Sequence, residues 1–298
     1  MTTLGFIGLG RMGAPMATHL VRADHDVVVF DQRSEAVDEV ATAGASGADS
    51  TAAVGERADV VFLSVPGPAA VTSVVSELEP TIESGSAVVD LTTSTPSTTQ
   101  TVAERLADEG VTVLGAPVSG GVSGADDGTL SVMVGGDRAT YEACRAYFDA
   151  FATDVFYIGT DPGHGHAVKL LNNYLSTTAT VATAEAVVLG GQIGLGIETL
   201  CEVFNASSGR NSSTEEKFPD YVANDRDIGF TLGLAEKDLR LVHQFADENR
   251  VPLLLGSIVR SQYSAARAAH GDDGDMRRIY DFVRRNMVAA EDTSEDNG

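Results

Sequence analysis

A glycine-rich turn near the N-terminus constrains the fold more than any other stretch of the sequence. The apolar residues 4–8, which predict a short strand, run directly into Gly8-Leu9-Gly10-Arg11-Met12-Gly13, and a helical pattern of apolar residues follows. A second predicted strand, Asp26–Phe30, ends at Asp31. A glycine turn between a strand and a helix, with an acidic residue after the next strand, is typical of the first βαβ unit of a doubly wound sheet.

Each glycine of this turn has a physical reason, and together they predict a dinucleotide site. Gly8 permits the tight turn, Gly10 lets the backbone approach a pyrophosphate, and Gly13 lets the helix pack closely on the strand. A carboxylate at Asp31 would accept hydrogen bonds from ribose hydroxyls and repel a 2′-phosphate, which favours NAD as the cofactor. Arg33 could contact such a phosphate, so NADP stays possible. The alternative is a glycine turn that binds no ligand.

Strands and helices continue to alternate to about residue 158. Strands separated by helical segments of about ten to fifteen residues predict parallel βαβ units, and therefore an α/β fold with a doubly wound Rossmann domain. Val65-Pro66 and Thr92-Thr93 lie at the carboxyl ends of two of these strands, at the edge where such sheets bind ligands. The later predicted strands are 59–65, 86–91, 111–114, 129–136 and 155–158, and the predicted helices are 70–78, 97–108 and 141–151.

Beyond Asp161-Pro162-Gly163 the pattern is helical only, which predicts an all-α C-terminal domain. We therefore predict an NAD(P)-binding Rossmann domain at residues 1–162. A helical substrate and oligomerisation domain at 163–298 is predicted to begin with a long interdomain helix. The later predicted helices are 198–207, 234–249, 253–269 and 275–289, and the acidic tail 291–298 is predicted to fray.

Lys169, on the long helix, is the most informative residue, because the chain has only three lysines, Lys169, Lys217 and Lys237. Lys169 and Asn173 are at i and i+4, so an amine and a carboxamide project side by side and can transfer and orient a proton. The alternative is a lysine that snorkels and an asparagine that packs. The helix is predicted to be opened by the breakers Pro162, Gly163 and Gly165 and to be largely buried through Val168, Leu171, Leu175, Val181 and Leu189.

The charge of the chain excludes two classes of partner. Acidic residues outnumber basic ones 43 to 20, and the resulting net charge of −23 repels nucleic acid and anionic membranes. Because high salt screens self-repulsion, the same balance predicts a halophilic, cytoplasmic protein, with an acidic protein of an ordinary cytoplasm as the alternative. No signal peptide is predicted. Cys144 and Cys201 are too few for a disulfide framework and are predicted to be buried.

Two further segments carry candidate functional groups. In Ala116-Pro117-Val118-Ser119-Gly120-Gly121, successive backbone amides and the Ser119 hydroxyl can form an anion nest for a small carboxylate, with an ordinary glycine turn as the alternative. In Glu236-Lys237-Asp238-Leu239, Lys237 is predicted to open a helix, and its alternative role is a surface ion pair. His164 and His166 do not share a helix face and lack an evident partner, so no metal site is predicted.

Together these segments resemble the β-hydroxyacid dehydrogenase family, which includes 3-hydroxyisobutyrate dehydrogenases, tartronate semialdehyde reductases and, more distantly, 6-phosphogluconate dehydrogenases. FIGLGRMGAPMATHL resembles the family's N-terminal signature, APVSGG with GTLSVMVGGD its substrate loop, GHGHAVKLLNNYL its catalytic helix and EKDLRL its C-terminal lysine motif. The family normally has an aspartate before the alanine of the substrate loop. Here that residue is Gly115, which leaves the support of the loop open.

The resemblance implies roles for particular residues. The implied catalytic residues are Lys169, Asn173 and Ser119, and the implied substrate-binding residues are Ser119, Gly120, Gly121 and Asn173. The predicted cofactor contacts are Gly8, Leu9, Gly10, Arg11, Met12, Gly13, Asp31, Val65, Pro66, Thr93 and Lys237, with Lys237 near the nicotinamide. The resemblance also implies a homodimer or homotetramer.

The predicted activity is hydride transfer between NAD and a short 3-hydroxy acid or its semialdehyde, with 3-hydroxyisobutyrate as the first candidate. The hydroxyl proton must leave as the carbon is oxidised, and Lys169 is predicted to accept it as general base and to return it as general acid. The alternatives, in order, are a reductase of tartronate semialdehyde or another short semialdehyde, a 6-phosphogluconate dehydrogenase-like enzyme, and a non-catalytic NAD-binding redox sensor.

Overall fold

The computed structural model describes residues 2–287 and confirms the predicted fold, a doubly wound Rossmann sheet followed by helices alone. The chain divides into two compact units, Met1–Leu171 and Asn172–Gly298. The strands are β1 (Thr3–Ile7), β2 (Asp26–Phe30), β3 (Ser46–Gly47), β4 (Val60–Leu63), β5 (Ala87–Asp90), β6 (Thr112–Gly115), β7 (Val118–Ser119), β8 (Leu130–Gly135) and β9 (Ala152–Gly159).

The helices surround the sheet in the first unit and make up the second. Those that begin in the first unit are α1 (Gly13–Arg22), α2 (Ser34–Thr42), α3 (Thr51–Gly55), α4 (Pro68–Leu78), α5 (Pro96–Ala107), α6 (Gly121–Asp127), α7 (Arg138–Phe148) and α8 (His164–Gly191). The second unit adds α9 (Ile197–Asn205), a π-helix (Ser213–Val222), α10 (Leu232–Glu248), α11 (Leu254–His270) and α12 (Arg278–Met287).

The sheet has the strand order β3-β2-β1-β4-β5-β6-β8-β7, with β9 paired to β8. The chain therefore starts in the middle and winds outwards in both directions, which is the arrangement of dinucleotide-binding sheets. The prediction of parallel pairing holds from β3 to β6 and between β8 and β9, but it is wrong for β8 beside β6 and β7, to both of which β8 runs antiparallel. The short segment through β7 and α6 reverses the chain without a full crossover, so β8 returns beside β6 in the opposite direction.

Alternate residues of the central strands fill the two sides of the sheet. Val27 and Val29 of β2 belong to one apolar cluster, and Val28 between them belongs to the other. Because helices cover both faces, the strands consist of continuous apolar runs rather than alternating patterns. The carboxyl ends of the buried strands β1, β4 and β5 lie together at one edge of the sheet.

Helix α8 differs from its prediction in two ways. Gly165 lies inside the helix and does not precede it: a side chain there would clash with the carbonyl oxygens of Met133 and Gly115, so glycine serves close packing and not helix breaking. The leucines predicted to be buried are exposed, with Leu175 at 66% and Leu189 at 67%. The buried side of α8 in the second unit instead consists of small and β-branched residues: Thr177, Thr180, Val181, Thr183, Ala184, Val187 and Val188.

Several short elements were not predicted from the sequence. These are α2, β3, α3, β7, α6 and the π-helix. The helix predicted at 141–151 begins earlier, at Arg138, because the Asp137 side chain caps it by accepting a hydrogen bond from Thr140 N–H. Similarly, α10 begins at Leu232 behind the Thr231 cap, so Lys237 lies in its second turn and does not open it.

The second unit has its own apolar core, in which the fully buried Tyr263 of α11 packs with residues of α8, α10 and α12. The predicted burial of Cys144 and Cys201 is confirmed. None of the helices between residues 2 and 287 has the length and apolarity needed to cross a bilayer. The end of the helix predicted at 275–289 and the tail 291–298 lie outside the described residues.

Candidate active site

The glycine turn lies between β1 and α1, as the sequence predicts. Gly8 has a φ of 94°, and a side chain there would clash with the Ser64 carbonyl oxygen of the neighbouring strand end. A side chain at Gly13 would clash with the Gly8 carbonyl oxygen, so this glycine keeps helix and turn in contact. At Gly10, by contrast, an added Cβ would meet no atom within 4 Å. The backbone at Gly10 is therefore open to a ligand, which is the requirement for a pyrophosphate.

Asp31 is held by three hydrogen bonds, one from the glycine turn and two from Arg33. Its carboxylate accepts from Leu9 N–H at 2.7 Å, from Arg33 N–H at 2.9 Å and from Arg33 Nε–H at 3.2 Å, and Arg33 also donates to the Leu9 carbonyl oxygen at 3.0 Å. Burial would raise the pKa of Asp31, but the backbone donors Arg33 and Leu9 lower it below its ordinary value. The group is thus a fixed carboxylate at the end of β2, with the exposed guanidinium of Arg33 beside it.

The predicted cofactor loops after β4 and β5 are joined by Thr92. Its hydroxyl accepts a hydrogen bond from Val65 N–H at 3.2 Å, and its own N–H donates to Asp90 Oδ1 at 3.0 Å. Thr92 is buried and Thr93 is half-buried, so Thr93 is the residue of this loop that can reach a ligand. The loop that carries Pro66 and the loop that carries Thr93 are therefore fixed relative to each other.

Asp90 and His166 form a buried pair beneath these loops, which sequence reasoning did not identify. Asp90 Oδ2 and His166 Nε2 are 3.5 Å apart, and neither side chain is more than 2% exposed. Burial raises the pKa of Asp90 to about 7, an effect that hydrogen bonds from Thr92 oppose, and burial lowers the pKa of His166 to about 3. Burial therefore favours the neutral form of each group, a protonated carboxyl at Asp90 and an uncharged imidazole at His166.

The pair also explains how the chain accommodates Gly115. A Cβ at Gly115 would lie 2.8 Å from His166 Cδ2 and 3.0 Å from His166 Nε2, and it would clash with the Pro162 carbonyl oxygen. The imidazole of His166 thus fills the space beside β6 in which a larger residue at position 115 would have to fit. His166 lies three residues before Lys169 on α8, so the same contact fixes the helical turn that carries the lysine.

Lys169 is 8% exposed in the second turn of α8. The start of this helix is anchored in the first unit by Asp161, which accepts hydrogen bonds from Gly163 N–H at 2.8 Å and from Gln100 Nε2 at 2.9 Å. A side chain at Gly163 would press on the backbone of Pro96 at 2.9 Å, so the helix start is packed closely on α5. The lysine therefore has a position determined by rigid neighbours, as proton transfer requires.

The Ser119 loop follows β6 and turns the chain into α6. Ser119 lies on β7 opposite Ser131 and is half-buried, whereas Gly120 and Gly121 are exposed. Gly120 has a φ of 132° and Gly121 a φ of 66°, conformations that side chains disfavour. The consecutive amides of Gly120 and Gly121 therefore lie in an exposed turn that an anion can approach.

The remaining predicted residues belong to the second unit. Asn173 Nδ2 donates to Asp238 Oδ2 at 2.7 Å, and Asp238 Oδ1 lies 3.1 Å from Lys237 Nζ. Because a carboxylate can only accept, this contact fixes the amide of Asn173 with its nitrogen towards Asp238. Asp238 is buried and was not predicted as a site residue, although its place in the EKDL segment was the available signal.

The dinucleotide turn and the strand order define a Rossmann nucleotide-binding domain, and comparisons with known proteins identify its relatives. Residues 3–159 match the family described as the NAD binding domain of 6-phosphogluconate dehydrogenase. Residues 163–283 match the family described as NAD-binding of NADP-dependent 3-hydroxyisobutyrate dehydrogenase. The first match contains the glycine turn, and both family descriptions name binding of NAD.

Individual relatives span nearly the whole chain. A 2-(hydroxymethyl)glutarate dehydrogenase of Eubacterium barkeri is 35% identical and covers 93% of each chain. An NAD-dependent L-serine dehydrogenase of Pseudomonas aeruginosa is 37% identical over 88% of this chain and 91% of its own. The solved structure of Mycobacterium tuberculosis 3-hydroxyisobutyrate dehydrogenase with L-serine is 32% identical, with a TM-score of 0.89 over 95% of this chain and 99% of that one.

The chain belongs to the β-hydroxyacid dehydrogenase family. The prediction of family and of an NAD-type cofactor is confirmed. The roles of individual site residues are proposals, which follow.

Proposed function

We propose that the protein oxidises short acids of the form HOCH2–CHR–COO⁻ with NAD, and reduces the corresponding semialdehydes, with 3-hydroxyisobutyrate as the first candidate. The observation that carries this proposal is Lys169, a buried lysine on a rigid helical turn of the unit that holds the dinucleotide turn. When bound, the nicotinamide supplies the hydride acceptor or donor. The protein must then supply the binding groups and a place for the hydroxyl proton.

The relatives support this substrate class by their shared chemistry. Serine, 3-hydroxyisobutyrate and 2-(hydroxymethyl)glutarate, which the relatives' names specify, all contain a primary alcohol next to the carbon that bears a carboxylate. They differ only in R, which is an amino, a methyl or a carboxyethyl group. Glycerate, the product of tartronate semialdehyde reduction, has the same form with a hydroxyl as R. The reacting part of the substrate is therefore common to all these candidates.

Each proposed role follows from the chemistry of a residue. The amides and hydroxyl of the Ser119 loop, with Gly120 and Gly121, bind the substrate carboxylate. Lys169 accepts the hydroxyl proton on Nζ as the carbon loses its hydride, and in reduction its ammonium returns that proton to the carbonyl oxygen. Asn173, held by Asp238, contacts the substrate through its carbonyl oxygen.

The cofactor contacts are proposed for the open edge of the sheet. The backbone from Gly8 to Gly13 faces the pyrophosphate, and Asp31 accepts the ribose hydroxyls, which favours NAD although Arg33 leaves NADP possible. The loops of Val65, Pro66 and Thr93 complete the site. Lys237 is proposed to lie near the nicotinamide.

The proposal also covers the salt adaptation, the cellular location and the assembly of the enzyme. The acid excess and the three lysines support a halophilic, cytoplasmic protein. Residues 163–298 are proposed as the substrate and oligomerisation domain of a homodimer or homotetramer. Exposed leucines and isoleucines of the second unit support this assembly, since a highly charged monomer would not expose them in such number: Leu175, Leu189, Ile193, Leu254, Leu255 and Ile258.

The experiment is a turnover assay in molar KCl, with NAD or NADP and 3-hydroxyisobutyrate, serine or glycerate, followed by absorbance of the reduced nicotinamide. Wild-type protein is compared with Lys169→Met, which keeps the chain length of the side chain and removes the amine. We expect kcat to fall by about 10²- to 10⁴-fold, with NAD affinity retained, because only proton transfer is lost. Full activity of Lys169→Met would exclude the proposed mechanism, and NAD binding without turnover of any acid would favour a redox sensor.

A further inference from the structure

All three lysines of the chain are associated with helix α8. Lys169 is part of the helix, and Lys237 contacts Asp238, which in turn binds Asn173 of α8. The third, Lys217, donates hydrogen bonds to Ser176 Oγ at 2.7 Å and to Thr180 Oγ1 at 3.2 Å. Lys217 was not assigned any role from the sequence, and the dehydrogenase reaction as described above does not use it.

The hydrogen bonds between Lys217 and its two hydroxyl partners leave two donors unused in the described part of the chain, one N–H of Lys217 and the O–H of Ser176. Thr180 Oγ1–H donates to the Ser176 carbonyl oxygen, so its oxygen serves as acceptor for Lys217. An ammonium has three N–H groups, and two of those of Lys217 are used by Ser176 and Thr180. Within residues 2–287, no acceptor lies within hydrogen-bonding distance of the third N–H or of the Ser176 O–H. Two donors from neighbouring side chains match the two oxygens of a carboxylate.

The charge of Lys217 also lacks a carboxylate partner in the described part of the chain. The arginines nearby in sequence and in this unit behave differently: Arg210 pairs with Glu215, and Arg267 pairs with Glu236 and Asp272. No carboxylate oxygen of residues 2–287 lies within 4 Å of Lys217 Nζ, although the sequence has 43 acidic residues. Burial lowers the pKa of Lys217 to about 8, and the charge of the exposed Glu216 opposes this only in part. A bound anion would stabilise this ammonium.

The place along α8 at which Lys217 binds indicates which anion it serves. Asn173, Ser176 and Thr180 are at i, i+3 and i+7, so they share one face of the helix. Ser176 lies about 4.5 Å along the helix axis from Asn173, given a rise of 1.5 Å per residue. A molecule held at Asn173 therefore reaches the level of Ser176, to which Lys217 donates, with a linker of about two methylene groups, because three C–C bonds of about 1.5 Å span a similar length. Lys217 is carried by a π-helix, a rare element that frequently occurs at functional sites.

We propose that Lys217 and Ser176 form a carboxylate subsite that binds the far end of R, so that the substrate is a dicarboxylic 3-hydroxy acid with two methylenes before its second carboxylate. This inference rests on the proposed dehydrogenase function and, within its substrate class, places this dicarboxylate ahead of 3-hydroxyisobutyrate. The ammonium of Lys217 and the hydroxyl of Ser176 each donate to the second carboxylate, and Thr180 holds the lysine in place.

The test compares two acids that differ only at the far end, HOCH2–CH(COO⁻)–CH2–CH2–COO⁻ and its analogue with a terminal methyl group. We expect wild-type kcat/KM to be at least about tenfold higher for the dicarboxylate, and Lys217→Met to reduce this ratio by about 10- to 100-fold, as expected for a hydrogen-bonded charge pair. Lys217→Arg should keep most of the ratio. Arg210→Met, which removes a cation already paired with Glu215 in the same segment, should leave the ratio unchanged.

Ser176→Ala gives an independent readout if Lys217→Met does not fold, with an expected loss of about threefold or more in the same ratio. Equal efficiency of wild type with both acids, or equal losses with both acids in the Lys217 and Ser176 variants, would overturn the subsite. If neither acid is turned over, the proposed function fails, and calorimetric titration with the same two acids still tests the subsite. Binding that does not distinguish the acids, or does not depend on Lys217, would then reject it.

Discussion

The pKa shifts of Asp90 and His166 predict that the free energy of unfolding depends on pH with opposite signs in Asp90→Asn and in His166→Gln. Burial raises the pKa of Asp90 from 3.8 to about 7 and lowers the pKa of His166 from 6.5 to about 3. Between about pH 4 and pH 6.5 the pair therefore binds one proton in both states, on Asp90 when folded and on His166 when unfolded. Folding moves that proton from imidazole to carboxyl, so the intact pair contributes no slope to stability in this window.

With only one of the two residues present, the free energy of unfolding would change with pH in this window. For Asp90, the folded state binds more protons, so its contribution is complete below about pH 3.8 and is lost as pH rises towards 7. For His166, the unfolded state binds more protons, so its contribution is complete above about pH 6.5 and is lost as pH falls towards 3. We therefore expect Asp90→Asn to become more stable, and His166→Gln less stable, as pH rises.

The magnitude follows from one proton per molecule. The free energy of unfolding should change by up to about 1.4 kcal/mol per pH unit, or about 2 kcal/mol between about pH 5 and pH 6.5. Urea unfolding at each pH measures this change, with circular dichroism as the signal because the chain lacks tryptophan. The range from about pH 5 to pH 6.5 lies above the isoelectric point of about 4.4. Subtracting the wild-type free energy of unfolding at each pH removes the contribution of the other carboxylates. For the double variant, this difference from wild type should not change with pH. Single variants that both parallel the wild type would refute the proton exchange.

Three further predictions concern the cofactor site and the charge. Gly13→Ala should lower the free energy of unfolding, measured in urea, by about 2–4 kcal/mol because its Cβ would clash with the Gly8 carbonyl oxygen. Gly10→Ala should fold normally and bind NAD at least about tenfold more weakly. A Gly10 variant with unchanged NAD affinity would contradict the close approach of the pyrophosphate. Asp31→Asn should lower the ratio of kcat/KM for NAD over NADP by about tenfold or more, because the charge that repels a 2′-phosphate is lost, and an unchanged ratio would assign cofactor choice to other residues. Raising KCl from about 0.1 M to about 1 M shortens the screening length from about 10 Å to about 3 Å and should raise the thermal unfolding midpoint, whereas a protein adapted to ordinary salt would show little change.

The sheet and the glycine turn could be predicted because their signals are local. A buried parallel strand is a run of apolar residues, and its helix follows in the next segment, so β1, β2 and the turn between them can be located within about thirty residues. The reversal at β8 was missed because nothing within β6 or β8 specifies which way the partner strand runs. The π-helix was missed because its hydrogen-bond pattern does not follow the 3.6-residue period.

The exposure of α8 shows a second limit of periodicity. Leucines at a helical spacing predict an apolar face, but they do not specify what covers it. In α8 the leucines Leu175 and Leu189 are exposed, and the core is filled by Val181, Val187 and smaller residues. A face that remains apolar and exposed in a chain of net charge −23 is consistent with the proposed assembly. The leucines predicted to be buried are exposed in the single chain, so their predicted burial was wrong.

The support of the substrate loop illustrates why part of the site could not be predicted. The family resemblance calls for an aspartate where this chain has Gly115, and sequence alone shows only that a side chain is missing. The structure shows that His166, from a distant segment, occupies the adjoining space and reaches Asp90 beneath the cofactor loops. A Cβ at position 115 would lie only 2.8 Å from the His166 ring, so this position of the ring requires glycine at 115. His166 thus connects the loop of Thr92 to the turn of α8 that carries Lys169, and the space beside Gly115 is filled by a residue of that helix.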